Sequence, residues 1–583
     1  MGYSFAMKSR FLALLLLPLT LSSCGGSSIV EYSFKAYEKR TLDIHYSDTL
    51  FDKPSTTADV RLASTAMSMA FLAGCWEDQE VGPTYYIHQF YEKAGMEKEF
   101  FANYDHRATP GEVAYSLASK KLTSGKNLIW GAIRSDFYNG EWADNFNIGL
   151  EGDVYGFRIP AEKVYGQIKQ YVIDNAIAGE TVLFLCGLSR GASVATLVGG
   201  MIDDDIANGI TYGQASISLE NTYVYGIETP APSIKTDYGH ARYQNIHNYF
   251  NMNDLLGYLP WRSWGFHTLG QNHYYSDRLT DIHYSARRDR LIEAMKKTGG
   301  ESFSYPDDVL ANPTASKTDA YPSYGRQVCL LINEDNPPWI ASRQEYVEKY
   351  QDATMWLATF IFDDERSIYL GDTLESHMLS FLGKTRELTS ALDALREKDY
   401  ETVKNTILSV CDEIIEDDGK THAILLDIFD HCAPLLELGG DLLIAQGEDF
   451  NPLSLMTLMS PIVVFHRSSV TGWLISFDGN HGYALDEEGI NDGSYYRLEV
   501  RGLTAFTLSL KGGEKLFEAS GGEIVSSSLS AEIRNGILSL YLPKNGQYEY
   551  EAASNSYLSL YEVEPVTCKE KTVKASMPLT GTI

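Results

Sequence analysis

The stretch LFLCGLSRGASVATLVGG, residues 183–200, sets an apolar run against a run of small residues, with Ser189 between Gly187 and Gly191 at the junction. The apolar half reads as a buried strand and the half from Ala192 onward as a helix. A serine at the apex of a strand–turn–helix is a nucleophile elbow, a turn that exposes the hydroxyl above the sheet. Glycine and serine also make ordinary turns. The remainder of the chain decides between the two.

Working outward, residues 126–260 alternate apolar strands with helices. NLIWGAI is a buried strand and AEKVYGQIKQYVIDNAIAG an amphipathic helix stopped by Gly179. TVLFLCG is a second strand, ASVATLVGGMIDDDIA a helix, NTYVYGIETPAP a third strand and YQNIHNYFNMND a fourth. This alternation predicts an α/β fold with a parallel sheet covered on both faces. Upstream, EYSFKAYEKRTLDIHYS reads as short strands. ADVRLASTAMSMAFLAGCW reads as a helix with Val60, Ala63, Met67 and Ala70 on one stripe. From about residue 275 to 475 the pattern is helical, as in RQEYVEKYQDATMWLATFIF, LTSALDALREKDYETVKNTILSVCDEII and AILLDIFDHCAPLLELGGDLLIA. Val403, Ile407, Val410 and Ile414 form a core-facing stripe there. Past about residue 490, strands alternate with Gly/Asn turns, as in GILSLYLPKNGQYEYEA. That pattern predicts a small antiparallel β-sandwich.

Charge and cysteine usage exclude several classes of function. Lys and Arg number 48 against 78 Asp and Glu, a net charge of −30 with no basic cluster. Nucleic acids and anionic membrane surfaces are therefore poor partners. Cys75, Cys186, Cys329, Cys411, Cys432 and Cys568 are scattered, with no CxxC pair and no Cys/His cluster at ligand spacing. Neither a metal site nor a disulfide framework is expected. The N-terminal MKSRFLALLLLPLTLSSC, residues 7–24, has two basic residues, an apolar core and then Ser22, Ser23 and Cys24. It has the layout of a secretory signal and resembles a bacterial lipobox, whose cysteine is lipidated after cleavage. Cys24 is the expected lipid attachment, followed by the flexible tether Gly25, Gly26, Ser27 and Ser28. This places the expected protein on a membrane outside the cytoplasm, as a lipoprotein.

A serine hydroxyl needs a base to take its proton and donors to hold the oxyanion that forms. Ser189 is the candidate nucleophile, and the N–H of Arg190, at a helix N-terminus, is one candidate oxyanion donor. LIWGAIRSDFYNGEWADNFNIG resembles a segment of class 3 lipases in which a strand ends in Arg-Gly-Ser/Thr and a Trp soon follows. The resemblance implies a second oxyanion N–H at Asp136, with Arg134 kept and Ser135 replacing the family's glycine. A carboxylate at that donor position departs from the family. NIHNYFNMNDLLGYLP is similar to the family's strand, Asn, Asp, apolar stretch and Pro, which implies Asp254 as the acid that orients the base. Leu188 stands where the family usually has His and Arg190 where it often has Leu, which bears on substrate preference.

Among the later histidines, His466 in SPIVVFHRSSVTGWLISFD ends an apolar run and precedes Trp473 and Leu474. It resembles a His…Trp-Leu tract of long lipase-like proteins of anaerobic gut bacteria, and it is the preferred base. His283 in DIHYS and His377 in ESHMLSFLG stay open as alternatives. The resulting expectation is an α/β-hydrolase with a parallel sheet, a large helical insertion and a C-terminal antiparallel β-sandwich. Its parts are the lipoprotein signal at 1–24, a tether and N-terminal segment at 25–50 and a hydrolase core at 51–275. A helical lid or cap at 276–465, the catalytic His segment at 466–490 and the sandwich at 491–583 follow. The expected activity is cofactor-free hydrolysis of carboxylic esters or lipids through a Ser189–His466–Asp254 triad. A peptidase or acyl-glycan esterase of the same fold, or a catalytically dead surface-binding lipoprotein, are the alternatives.

Overall fold

A computed structural model describes residues 29–35, 41–74, 82–104, 111–135, 139–250, 257, 259–275, 279–283, 286, 342–361, 363–446, 490–564 and 569–583. The chain opens with a hairpin of β1 (Val30–Lys35) and β2 (Thr41–Tyr46), then helices α1 (Val60–Gly74) and α2 (Tyr85–Lys93). Three strands follow: β3 (Glu97–Ala102), β4 (Tyr115–Lys121) and β5 (Asn127–Ile133). After α3 (Asn139–Asp144) and α4 (Tyr155–Asp174) come β6 (Ala178–Leu188), α5 (Arg190–Ala207) and β7 (Gln214–Ile227). The sheet then gains β8 (Ile246–Phe250), β9 (Gln271–Tyr275) and, much later, β10 (Ile490–Asn491).

These eight strands lie in the order β10-β9-β8-β7-β6-β5-β4-β3. The five from β5 to β9 are parallel, as the alternating pattern predicts. The flanking strands β3, β4 and β10 run antiparallel, which the sequence reading did not provide. The cause at one edge is loop length, since the short turn between β4 and β5 leaves no room for a crossover.

Right-handed crossovers that always step to the next strand leave their helices on one face. Accordingly α4 and α5 share one core, with Leu183 and Leu185 of β6 and Val224 of β7. The other face is covered from the N-terminal side by α1 and α2, which pack on Val182, Phe184, Cys186 and Leu188. Burial on both sides explains why β6 reads as an unbroken apolar run rather than an alternation. Trp130 of β5 is fully buried here, edge-on to Phe184 at 4.7 Å between ring centroids. The helix expected to stop at Gly179 ends instead at Asp174, and Gly179 (φ +83°) lies in the first turn-like residues of β6.

Residues Arg343–Glu345 and the wide helical turn Tyr346–Tyr350 lead into α6 (Gln351–Ile361). The helical layer continues with α7 (Asp364–Ser376), α8 (Met378–Leu382), α9 (Thr385–Arg396), α10 (Tyr400–Ile414) and α11 (Lys420–Gln446). What reads as one helix over 388–415 is two. Lys398 takes φ +60° and the Asp399 side chain accepts the Thr402 N–H at 3.2 Å, starting α10 afresh. The C-terminal region is a sandwich of two five-stranded antiparallel sheets, with Leu498, Phe506, Phe517, Leu540 and Leu560 in the shared core. It is fastened to the β9 edge: Tyr274 and Phe250 pack with Tyr495, Tyr541 and Val563. Asn545 bridges Asp281 and Ile282 by hydrogen bonds of 3.0 and 3.2 Å. The described cysteines Cys186, Cys411 and Cys432 are buried free thiols.

One buried polar contact sits between β8 and β9. His247 Nε2 donates to the Ser55 carbonyl (2.7 Å), so its Nδ1 is the acceptor for His273 Nε2 at 3.1 Å. Burial holds both rings well below the ordinary histidine range, and His247 pushes His273 down further. An unfolded histidine takes up a proton near pH 6.5 while these two stay neutral, so the unfolded chain binds more protons as pH falls. Stability is therefore expected to be full above about pH 6.5 and to decline below it, by at most ~1.4 kcal/mol per pH unit for each ring. Thermal melts between about pH 7.5 and 5 measure this, and His273→Gln should make the decline shallower; an equal slope in that variant would refute the linkage.

Candidate active site

The elbow is built from three backbones meeting. The Ser189 N–H donates to Ile227 O (2.8 Å), continuing the β6–β7 ladder, while Ser189 O accepts from the Ser193 N–H (3.1 Å), closing the first turn of α5. Belonging to both, Ser189 takes φ +53°, ψ −120°. A non-glycine residue there stores on the order of 1–3 kcal/mol of strain, which persists only where the surroundings enforce it. The two glycines are what permit it. A Cβ on Gly187 would overlap the Gly191 carbonyl, and one on Gly191 would lie 2.5 Å from Ile133 O and 2.7 Å from Arg134 O. An ordinary surface turn has no such jam. Cys186, just beneath, is pushed up to about 12 by burial and stays a protonated, unreactive thiol.

Ser189 opens onto a cavity of about 270 Å³ lined almost wholly by apolar groups. Trp142, Phe157, Leu259 and Trp264 form the core side, and residues of the helical layer close the other. Behind the wall lie two buried ion pairs. Arg190, adjacent to Ser189, donates to Asp144 Oδ2 (2.8 Å), Asn145 Oδ1 (3.2 Å) and Glu112 O (3.2 Å). The same Asp144 oxygen accepts the Gly111 N–H at 2.8 Å. Arg134, at the end of β5, donates to both oxygens of Glu141 at 3.0 and 3.2 Å and lies over the Tyr104 ring. Thus α3, which supplies Trp142 to the cavity, is tied at one end to β5 and at the other to the residue after Ser189.

Of the residues expected from sequence, Ser189 and Arg190 stand at the elbow. The Arg190 N–H belongs to the first turn of α5, whose N–H groups have no intrahelical acceptor and carry the positive end of the helix dipole. Asp136, Asp254, His466 and Cys24 lie outside the described residues. His377 bonds within its own turn, to Thr373 O at 2.8 Å, and the His283 N–H donates to Asp281 Oδ1; neither histidine lines the cavity. Among the described residues the Ser189 hydroxyl has no hydrogen-bond partner.

Sequence reasoning missed Glu228. Leu188 pairs with Ile227 in register, so Ser189 and Glu228 occupy equivalent positions just past the ends of adjacent strands. Glu228 is likewise left-handed (φ +50°), fully buried, and bonded through its N–H to Tyr249 O at 2.8 Å. No local pattern in GIETPAP marks it.

No family model and no curated protein matches the chain. Solved structures similar to it include a triacylglycerol lipase whose catalytic centre is formed by a serine protease triad. That match has 14% identity and a TM-score of 0.27, and it covers 37% of this chain and 80% of the other. The lipase from Rhizopus microsporus var. chinensis has 14% identity and a TM-score of 0.27, covering 37% and 75%. Lipase II from Rhizopus niveus has 13% identity and a TM-score of 0.25, covering 39% and 80%.

The jam and the ion pairs make separable predictions. Gly191→Ala should cost both activity and stability, because backbone rather than a flexible side chain must move. Asp144→Ala leaves the Arg190 guanidinium buried without its counter-charge and should destabilise by about 3–5 kcal/mol, whereas Asp144→Asn, which keeps an acceptor, should cost less. Urea midpoints of the three proteins test this. Equal midpoints for Asp144→Ala and the parent would show that the pair holds nothing in place.

Proposed function

We propose that the chain is a serine hydrolase of α/β-hydrolase architecture that cleaves carboxylic esters through an acyl-enzyme. The observation that carries this reading is Ser189, held in a strained conformation at a strand–helix apex and facing an apolar cavity. In the proposed reaction Ser189 Oγ attacks the ester carbonyl carbon as the His466 imidazole takes its proton. Asp254 orients that ring and stabilises its charged form. The N–H groups of Arg190 and Asp136 hold the oxyanion, and collapse expels the alcohol, which receives the proton from His466. Water then repeats the sequence on the acyl-enzyme. Each step is complete without a cofactor.

Support for esters over peptides comes from the cavity, which offers a long apolar wall and few polar partners for an amide backbone. The lipobox-like Leu-Ser-Ser-Cys motif supports a diacylated Cys24 that holds the enzyme on a membrane outside the cytoplasm. No described helix is long and apolar enough to cross a membrane.

Ser189→Ala should lower kcat on a short-chain ester on the order of 10³-fold or more while leaving the melting temperature nearly unchanged. His466→Ala should match it, and the double variant should be hardly worse than either single, since the residues act as a unit. His283→Ala and His377→Ala should keep most activity. A folded His466→Ala enzyme with normal kcat/KM would move the base elsewhere, and a wild-type protein that neither turns over esters nor reacts with a fluorophosphonate would favour a binding protein. Separately, wild type should partition with membranes and Cys24→Ser should lose acyl label. Equal release of both into the soluble fraction would remove the anchor.

A further inference from the structure

We infer that the helical layer is a fixed wall of the substrate cavity, not a moving lid, and that it confines the acyl group cleaved at Ser189 to short and medium chains. This rests on the ester-hydrolase reading.

The wall begins with its own side chains. Tyr346 and Tyr350 are buried in the same core as the sheet and α5, and Leu435 and Leu438 of α11 pack against that core. All four line the cavity together with Trp142 and Trp264, and the Tyr346 ring packs against the Trp264 ring with centroids 5.7 Å apart. A segment that swung open would expose two tyrosines now almost fully withdrawn from water.

The root of this wall is latched to backbone. The Arg343 guanidinium donates to the carbonyls of Gly149 (2.6 Å), Gly152 (2.9 Å) and Ile148 (3.1 Å), and lies over the Phe266 ring. Gln351 Oε1 accepts the N–H groups of Ile148 (2.8 Å) and Gly149 (3.2 Å), and the Tyr346 hydroxyl donates to Phe146 O (3.0 Å). Four carbonyls and two N–H groups of one short loop, 146–152, are therefore bonded from the helical layer on both sides of the aromatic pair. Opening would break these bonds together, and partly buried backbone groups that lose their partners are costly. Lids that gate access are drawn from weakly held segments. This one is strongly held.

Size then sets the substrate class. A volume of about 270 Å³ is roughly twice that of an engineered apolar cavity of ~150 Å³ that takes up one benzene, which is room for about ten carbon-sized groups. An acyl chain of octanoyl length fills it. A palmitoyl chain is too long to be held within it.

The experiment uses the full chain with p-nitrophenyl butanoate, octanoate and palmitate. The kcat/KM of wild type should peak at octanoate and fall at least ~tenfold at palmitate. Leu438→Ala should shift the optimum toward longer chains, and Arg343→Gln should flatten the length profile. A second measurement needs no turnover: tryptophan emission from Trp142, Trp261 and Trp264 in Ser189→Ala, titrated with methyl octanoate and methyl palmitate, should report tighter binding of the shorter ester. Ester hydrolysis that rises through palmitate, or that ignores length in wild type, would overturn the wall while leaving the hydrolase reading intact. Length-selective binding by a protein that hydrolyses none of the esters would do the reverse. Neither binding nor hydrolysis would remove both.

Discussion

Main chains come into direct contact where the first turn of α5 lies against the ends of β5 and β6. Gly187 and Gly191 are present because no Cβ fits between those backbones. Three consequences follow from that one contact. Ser189 is forced into a conformation it would not choose, its N–H and C=O are spent on β7 and α5, and its side chain is left as the only part with freedom to act. Equally, the N-terminus of α5 is brought to the same spot, so the positive end of its dipole and the serine share one location. Removing the glycines would separate them.

The two ion pairs extend this constraint sideways. Arg134, Glu141, Asp144 and Arg190 are all at most 2% exposed, and burying four charges is a poor way to gain stability. Their geometry gives a different account of why they are there. Arg134 and Arg190 sit at the ends of neighbouring backbone elements, and their carboxylates lie three residues apart on α3. The helix is thereby fixed in rotation as well as position, and Trp142 between the two carboxylates has one place to be. Glu228 adds a further buried carboxylate at the same level of the sheet.

What could be read from the sequence follows from how local each cause is. Strands β5 and β6 and helix α5 were legible because burial on both faces leaves a continuous apolar signature, and the elbow because its glycines are adjacent to its serine. The outer strands were not. EKEFFA at the β3 edge carries charges that an exposed edge tolerates, YSLASKK beside it is small, polar and basic although its first five residues are buried, QNHYY is too polar to resemble a buried strand, and β10 is two residues long. The break at Lys398 was hidden because good helix formers flank it on both sides. Cavity residues such as Trp142, Trp264, Tyr346 and Leu438 come from four distant segments, and no periodicity within any one of them announces that they meet. Arg343 gave no signal either, since its three partners are carbonyls, which every residue has.

The small strand β10 has a topological effect out of proportion to its length. Ile490 pairs with Tyr275, so the described helical segments within 342–446 lie between two neighbouring strands of one sheet. For the α/β core, the whole helical layer is a single excursion with its endpoints already joined. Closing such an excursion depends only weakly on its length, with each doubling costing about 0.6 kcal/mol of chain entropy. The core can thus accept a longer, shorter or unrelated excursion at that point with its strand order intact. Evolution has in β9 and β10 a fixed socket into which different cavity walls can be inserted without disturbing the turn at Ser189.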